Sequence, residues 1–278
     1  MLTREQECFI KKKAYVPEHI YPYVVSVSGA EPYFYEPFIV YEKKESLIIV
    51  GYPIDCDFRE EIFCETLNQL KNKKKKKRIL GILPKPLKGL KPKSSDHYYI
   101  LQLENLVIDQ KTKNMIKRAK KELVIETKNE LTFDHIDLIE RFISWKRFDE
   151  ETSLIFRNLS TYVNNKNHVK VITARNAKGN LIAFDVVDTC GLDYAFYMFN
   201  VRSQSEYVPG TSDLLFEQII RIAAEEGKKF VNLGLGINDG IRFFKKKWGG
   251  RPYLEYHLYE WWSQETLFYI LMNRFLGE

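Results

Sequence analysis

Residues 207–250 read YVPGTSDLLFEQIIRIAAEEGKKFVNLGLGINDGIRFFKKKWGG, and the order of breaks, apolar spacing and charge along them decides the fold. Pro209 and Gly210 break a preceding strand, and Thr211, Ser212 or Asp213 can cap a helix by accepting its unpaired N–H groups. A helix start of this kind attracts anions. Leu214, Leu215, Ile219, Ile222 and Ala223 recur at helical spacing, so one face packs on a sheet while Glu217, Gln218, Arg221 and Glu225 face water. Gly227 ends the helix, Lys228 and Lys229 follow where positive charge is favoured, and FVNLGLG is a short apolar run suited to a buried parallel strand. Strand, anion-attracting loop, helix and parallel strand make one βαβ-like unit.

The same succession occurs at residues 47–83 and again at 194–236. The first copy offers Asp55, Cys56 and Asp57 in place of the Gly-Thr-Ser helix start, and carboxylates there repel a phosphate. A duplication whose second copy keeps the active site explains the match; so does the ordinary repetition of strand and helix in α/β proteins. Around these units, PFIVYEKKESLIIVGYPI predicts a hairpin turning at Lys43 to Ser46, Phe58 to Leu70 a helix, and RILGILP a buried strand. TKNMIKRAKKE predicts a helix with Met115, Ile116 and Ala119 inward, and two more helical segments cover FDHIDLIERFISWKRF and EETSLIFRNLSTYVNN. VKVITARNAKGNLIAFDVVDT and LDYAFYMFNV predict antiparallel strands with a tight turn at 177–180. The expected fold is α+β, with mixed central sheets flanked by helices.

The chain has 278 residues and a net charge of +6, which suits an anionic partner such as CoA, tRNA or a membrane surface without choosing among them. Cys8, Cys56, Cys64 and Cys190 have neither CxxC spacing nor a neighbouring His at ligand spacing, which argues against a zinc site. Reduced thiols, no leader-like apolar segment and no run of roughly 20 apolar residues predict a cytoplasmic protein, with peripheral membrane attachment left open. GxSxG, P-loop and HExxH motifs are absent, so the hydrolase and NTPase classes drop out. Lys73 to Arg78, six successive cations, fit a solvated loop or a contact with tRNA phosphates or an anionic bilayer. WWSQETLFYILMNRFLG at the end is apolar on nearly all faces if helical, so it should be buried in the core or in a homodimer.

LIIVGYPI, the basic helix TKNMIKRAKKE, and GTSDLLFEQIIRIAAEEGKKFVNLGLG followed by GIRFFKKKWGG carry a resemblance that covers most of the chain from about residue 38. It is to the GCN5-related (GNAT) acyltransferase superfamily, within it to Fem-type aminoacyltransferases and the cytosolic domain of lysylphosphatidylglycerol synthases. The most specific part is FKxxWGG at Phe244, Lys245, Trp248, Gly249 and Gly250. The resemblance implies tandem GNAT-like domains, taken here as 1–105 and 106–278, with the site in the second. It also implies transfer of an aminoacyl or acyl group from aminoacyl-tRNA or acyl-CoA to an amine or hydroxyl, with no tightly bound cofactor. An acyl-CoA-dependent N-acetyltransferase and a catalytically silent binding protein of the same fold are the alternatives. One departure is plain: acetyl-CoA users usually carry Arg/Gln-x-x-Gly-x-Gly/Ala, whereas Val208-Pro209-Gly210-Thr211-Ser212-Asp213 has one glycine and an acid. Pyrophosphate binding is thereby weakened, as in the aminoacyl-tRNA-using branch or in a retired acyl-CoA site.

By this resemblance Lys245 faces the donor's terminal phosphate or the reacting carbonyl; by residue type alone it lies in a run of three lysines on a solvated helix face. Gly210, Thr211 and Ser212 would bind the donor, and Lys117 and Arg118 would assist. Asn238 and Arg242 can cap the last helix or clamp a phosphate or carboxylate. For proton transfer the candidates are Asp185, Asp188, Asp193 and Tyr197 on or between the central strands. Asp185 stands out as a carboxylate in an apolar strand, which is either an outward-facing residue or a buried acid of raised pKa.

Overall fold

A computed structural model of the protein describes residues 1–164 and 166–263. Chain order begins with α1 (Arg4–Lys13), a 3-10 turn at Pro17–His19, α2 (Tyr21–Ser28), β1 (Glu31–Tyr35), β2 (Phe38–Glu42), β3 (Ser46–Val50), α3 (Glu60–Lys74), β4 (Arg78–Leu83) and β5 (Ser94–Gln102). It continues through α4 (Gln110–Glu122), β6 (Leu123–Lys128), α5 (Phe133–Lys146), α6 (Glu150–Arg157), α7 (Leu159–Val163), β7 (Val169–Asn176), β8 (Leu181–Asp188) and β9 (Tyr194–Arg202). Last come α8 (Thr211–Glu225), β10 (Phe230–Leu235), α9 (Asp239–Lys247) and β11 (Arg251–Trp262). Among the described residues two compact units result, one from residues 1–13, 29–97 and 254–263, the other from 14–28 and 98–253.

In the first unit β1, β2 and β3 form an antiparallel meander whose β2–β3 turn falls at Lys43 to Ser46, as the charged break predicts. β3 then pairs parallel with β4 across α3, because Phe63, Thr66, Leu67 and Leu70 recur at helical spacing and bury one face of α3 on the sheet. β11 closes this sheet by pairing antiparallel with β4, from His257 opposite Leu83 to Trp262 opposite Arg78. That pairing is the reason the units do not follow the expected 1–105 and 106–278 division: the chain returns to the first unit at residue 254. Trp261 and Trp262 are strand residues, not the start of a helix. The rest of the expected C-terminal helix lies outside the described residues.

Glu42 pairs with Lys74 and Lys76 at 2.7 and 2.8 Å, Glu45 pairs with Lys77 at 2.6 Å, and Glu260 receives Arg78. The hairpin acids and β11 thus neutralise most of a stretch that in sequence fitted a solvated loop or a contact with phosphates or lipid.

The second unit orders its sheet β5-β10-β9-β8-β7-β6. β6 to β9 are an antiparallel run, while β9 and β10 are parallel and joined by α8, which repeats the β3-α3-β4 arrangement. On one face α4 and α8 pack Ile116, Ala119, Leu214, Leu215, Ile219 and Ala223 over Ile182, Ala195 and Val231. On the other, α5 and α7 pack Leu138, Ile139, Phe142, Leu159 and Tyr162 over Val171, Phe184, Val186 and Val201.

α8 begins differently from expectation. Gly210, at φ 87°, is the N-cap, and the Thr211 hydroxyl turns back to donate to the Val208 carbonyl at 2.6 Å instead of capping. A Cβ on Gly210 would lie 2.5 Å from the Met115 carbonyl oxygen, so only glycine lets α4 approach the start of α8 so closely. Gly210→Ala should therefore destabilise the protein by about 2 kcal/mol or more, since strain at positive φ adds to a backbone collision. Gly179→Ala, also at positive φ (84°) but with nothing within 4 Å, should cost about 1 kcal/mol. Urea denaturation of the two variants checks the ranking, and equal losses would contradict it.

Candidate functional site

The parallel pair β9 and β10 is short. Tyr194, Ala195 and Phe196 register with Phe230, Val231 and Asn232, and beyond them the strands share no further pairing among the described residues. The parting has local causes. A register shift between Val186 and Val187 bends the β8–β9 pair, and another between Asn232 and Leu235 bends the β10–β5 pair. Gly234, at φ 72°, turns its N–H onto the Asn232 side chain at 2.8 Å. Asn232, 1% exposed, also donates to the Tyr15 carbonyl at 2.8 Å, so both ends of its amide pin the point of divergence.

Lys245 lies against this gap. It is 4% exposed, and its Nζ donates to the Leu235 carbonyl at 2.5 Å and stands 5.5 Å above the Tyr99 ring. Neither a solvated helix face nor the lining of the helix-start cavity describes it; the lysine supplies a donor to the carbonyl at the end of β10. Lys247 is the lysine that reaches α8.

A cavity of about 210 Å³ at the start of α8 is lined by Gly210, Thr211, Ser212 and Asp213, by Met115 of α4, by Arg202 and Ser203 at the end of β9, and by Phe244 and Lys247 of α9. The structure therefore brings the predicted Gly210, Thr211 and Ser212 together. The backbone N–H groups of Ser212 and Asp213 have no acceptor among the described residues, as the first turn of a helix requires when nothing caps it. Asp213 does not oppose an anion as its sequence position suggested. It is 5% exposed, pairs with Lys247 at 2.5 Å and accepts from Trp248 Nε1 at 3.0 Å, so its charge is compensated inside the fold. Glu206 also lines the cavity and is held by Asn176 and Asn180 at 2.8 and 3.1 Å.

Asp185 is fully buried, so the outward-facing alternative is wrong. Asn200 donates to Oδ1 at 2.6 Å, while Oδ2 is buried with no donor among the described residues. Burial pushes the Asp185 pKa up to about 7, against the opposing pull of Asn200 and Tyr197. Tyr197, on β9 just past the parting and packed on Phe216, lies beside this carboxyl without aligning a bond to Oδ2. Burial first, and then the Asp185 charge, push the Tyr197 hydroxyl well above its ordinary range.

Other candidates fall elsewhere. Asn238 caps α9 by accepting from Ile241 N–H at 3.0 Å, and Arg242 pairs with Asp239 at 2.9 Å, so neither is brought to the cavity. Lys117 and Arg118 project from the exposed side of α4, away from Ile116 and Ala119, and Arg118 approaches Glu122 at 3.9 Å. Asp193 pairs with Lys229 at 2.9 Å.

Asp188 is a structural hub. Burial works to raise its pKa, but bonds from His168, Tyr162 and the Cys190 amide outweigh it and hold the carboxylate low. His168, Asp188 and Cys190 place ligand-type atoms within 4.8 Å of one another, a grouping that cysteine spacing missed. The end of the β7–β8 ladder creates it, where Thr189 N–H bonds the His168 carbonyl at 2.8 Å. Arg202, Ser203 and Lys247 were missed as well. The signal for Lys247 was its place beside Trp248, whose indole shares the same Asp213.

No family model and no curated protein sequence matches the chain. Solved structures do. L-PGS from Bacillus licheniformis is 12% identical with a TM-score of 0.59, over 99% of this chain and 98% of that one. FemX is 10% identical with a TM-score of 0.62, over 98% of each chain. A tandem GNAT protein from the clavulanic acid biosynthesis pathway is 12% identical with a TM-score of 0.52, over 81% of this chain and 78% of that one. At such identities the likeness shows the fold: a tandem GNAT-like architecture of mixed sheets flanked by helices.

The raised Asp185 pKa has a consequence for stability. The folded chain keeps a proton that the unfolded chain releases, so this group weakens stability as pH rises from about 4 to about 7, and the loss persists above. Burial lowers the pKa of His135, which works the other way in part of that window. The comparison with Asp185→Asn isolates Asp185. Relative to the unaltered protein, the variant should gain stability progressively from about pH 4 to pH 7 in denaturant titrations; a difference that does not vary with pH would show that Asp185 is ionised throughout.

Proposed function

We propose that this protein transfers an acyl or aminoacyl group from an anionic activated donor, an aminoacyl-tRNA or an acyl-CoA, to an amine or hydroxyl acceptor. The observation that carries this reading is the parting of β9 and β10 next to a helix start with two free amides. Where β9 continues beyond Phe196 without β10, its backbone groups on that side have no strand partner among the described residues. A carbonyl lying in the gap could take a hydrogen bond from such an amide, and an oxyanion forming there takes a stronger one. The donor's phosphate end would lie on the Ser212 and Asp213 amides and Arg202, with Lys247 close by.

Attack by the acceptor forms the new N–acyl or O–acyl bond, breaks the bond to the leaving sulfur or oxygen, and moves one proton from the nucleophile to the leaving group. We assign that proton to Asp185 and Tyr197: burial raises the Asp185 carboxyl to about 7, and Tyr197 lies beside it on β9 at the first position past the parting. Lys245 acts as a positioning residue that holds the end of β10. The single-glycine loop and the nearby Glu206 make a weaker seat for a pyrophosphate than a glycine-rich loop would. A CoA-dependent acetyltransferase and a non-catalytic binding protein of this fold remain the competing readings.

Thermal-shift titration with acyl-CoAs and with charged tRNA tests the proposal, because a ligand of the native state raises the melting temperature. Lys247→Met should weaken donor binding about tenfold and also cost about 3 kcal/mol or more of stability, because it leaves the buried Asp213 carboxylate without its cation, whereas Lys245→Met should cost about 1–3 kcal/mol by leaving the Leu235 carbonyl without its donor. Stabilisation by a CoA ester alone selects the acetyltransferase reading, and no response to either donor class overturns the transferase reading.

A further inference from the structure

A second cavity, of about 430 Å³, lies on the α5 face of the same sheet. Leu138, Arg141, Phe142 and Trp145 line it from α5, and Arg202 and Ser203 line it from the end of β9. Those last two residues also line the helix-start cavity, so the end of β9 borders both spaces. No carboxylate lines the larger one among the described residues. Its charge is one-sided. Lys146 Nζ stands 4.3 Å above the Trp145 ring and the Arg202 guanidinium 5.4 Å from it, and neither cation has a carboxylate partner among the described residues. Burial, and after it the charge of Arg202, push the Lys146 pKa down, which marks two like charges held together without compensation. Arg141 is tied at 2.8 Å to Asp137, one helical turn away.

Position along β9 says which part of a substrate belongs here. Tyr197 borders the gap where transfer would occur, and Arg202 is five residues further along the strand, a span of roughly 17 Å. A group in this cavity is therefore remote from the reacting carbonyl, as the far end of a donor whose phosphate lies at Arg202 would be. Both donor classes have a nucleotide at such a remove: the nucleotide of a CoA ester, or the single-stranded nucleotides that precede the charged end of a tRNA. Their shared chemistry is a flat base joined to phosphate.

We infer that this cavity is a nucleotide subsite, in which the base packs against Trp145 and the Arg202 guanidinium while its phosphate is met by Arg202, Lys146 and Arg141. Aromatic rings and guanidinium planes are the groups on which unpaired bases stack, and stacking tolerates either base type. The inference rests on the acyl-transfer reading.

Calorimetry on the whole chain separates the two. The probes are adenosine bisphosphate, a short single-stranded RNA ending in CCA, and an acyl-phosphopantetheine that has the reactive arm but no nucleotide. The unaltered protein should bind one of the first two, and Arg202→Gln and Trp145→Ala should each weaken that binding about tenfold or more. Acyl-phosphopantetheine should bind Trp145→Ala as it binds the unaltered protein, and should bind Arg202→Gln more weakly, because Arg202 also lines the helix-start cavity that takes its phosphate. Preference for the bisphosphate assigns the nucleotide to a CoA ester, and preference for the RNA assigns it to tRNA. Nucleotide binding that both variants leave unchanged, or no nucleotide binding at all, overturns the inference. If acyl-phosphopantetheine still binds in that event, the transfer reading survives; if no probe binds, both fail. Trp145→Phe, which keeps a ring for packing on Phe142, should retain most of the affinity and guards against a folding defect in the alanine variant.

Discussion

Everything placed at this site depends on one feature of the backbone: β9 and β10 stop sharing hydrogen bonds after Phe196 and Asn232. Strand edges left unpaired inside a fold are costly, so their polar groups must find other partners or a ligand. The Leu235 carbonyl finds Lys245, the Gly234 N–H finds the Asn232 side chain, and Asn232 itself is anchored to Tyr15. The side facing β9 is left able to receive a carbonyl. Three residues that look unrelated in sequence, Tyr15, Asn232 and Lys245, thus serve one geometric end.

The start of α8 supplies the second part. Gly210 lets α4 approach to contact distance, which fixes where the first turn points, and the free amides of Ser212 and Asp213 emerge into the cavity. The macrodipole of a 15-residue helix adds to the pull on an anion there. Asp213 would cancel that pull if it were exposed. Pairing it with Lys247 and the Trp248 indole removes the conflict and joins α8 to α9, so one buried carboxylate both stabilises the packing and leaves the helix end electropositive.

Much of this was legible in the sequence, and the exceptions have physical causes. The helical spacing of Leu214 to Ala223 and the apolar FVNLGLG located α8 and β10, because each signal is contained within a few turns or residues of chain. The matching β3-α3-β4 unit was visible for the same reason. What pairing at long range decides was not. The return of β11 to β4 redrew the units, and the neutralisation of Lys74 to Arg78 depends on Glu42, Glu45 and Glu260, of which the last is nearly two hundred residues away. In the run Lys245-Lys246-Lys247 the side chains differ in direction by about 100° per residue, so the choice between Lys245 and Lys247 turns on the phase of one short helix. Asp185 looked ambiguous because alternation along a strand predicts a face, whereas β8 is buried on both.

Hydrogen–deuterium exchange across residues 197–216, measured with and without a non-hydrolysable acyl-CoA or a charged-tRNA analogue, tests most directly whether the opening beside β9 and the start of α8 form one donor site. Slower exchange at Ser212 and Asp213, together with protection on β9 beyond Phe196, is the result this account predicts. Binding of either donor with unchanged exchange at both places would contradict it.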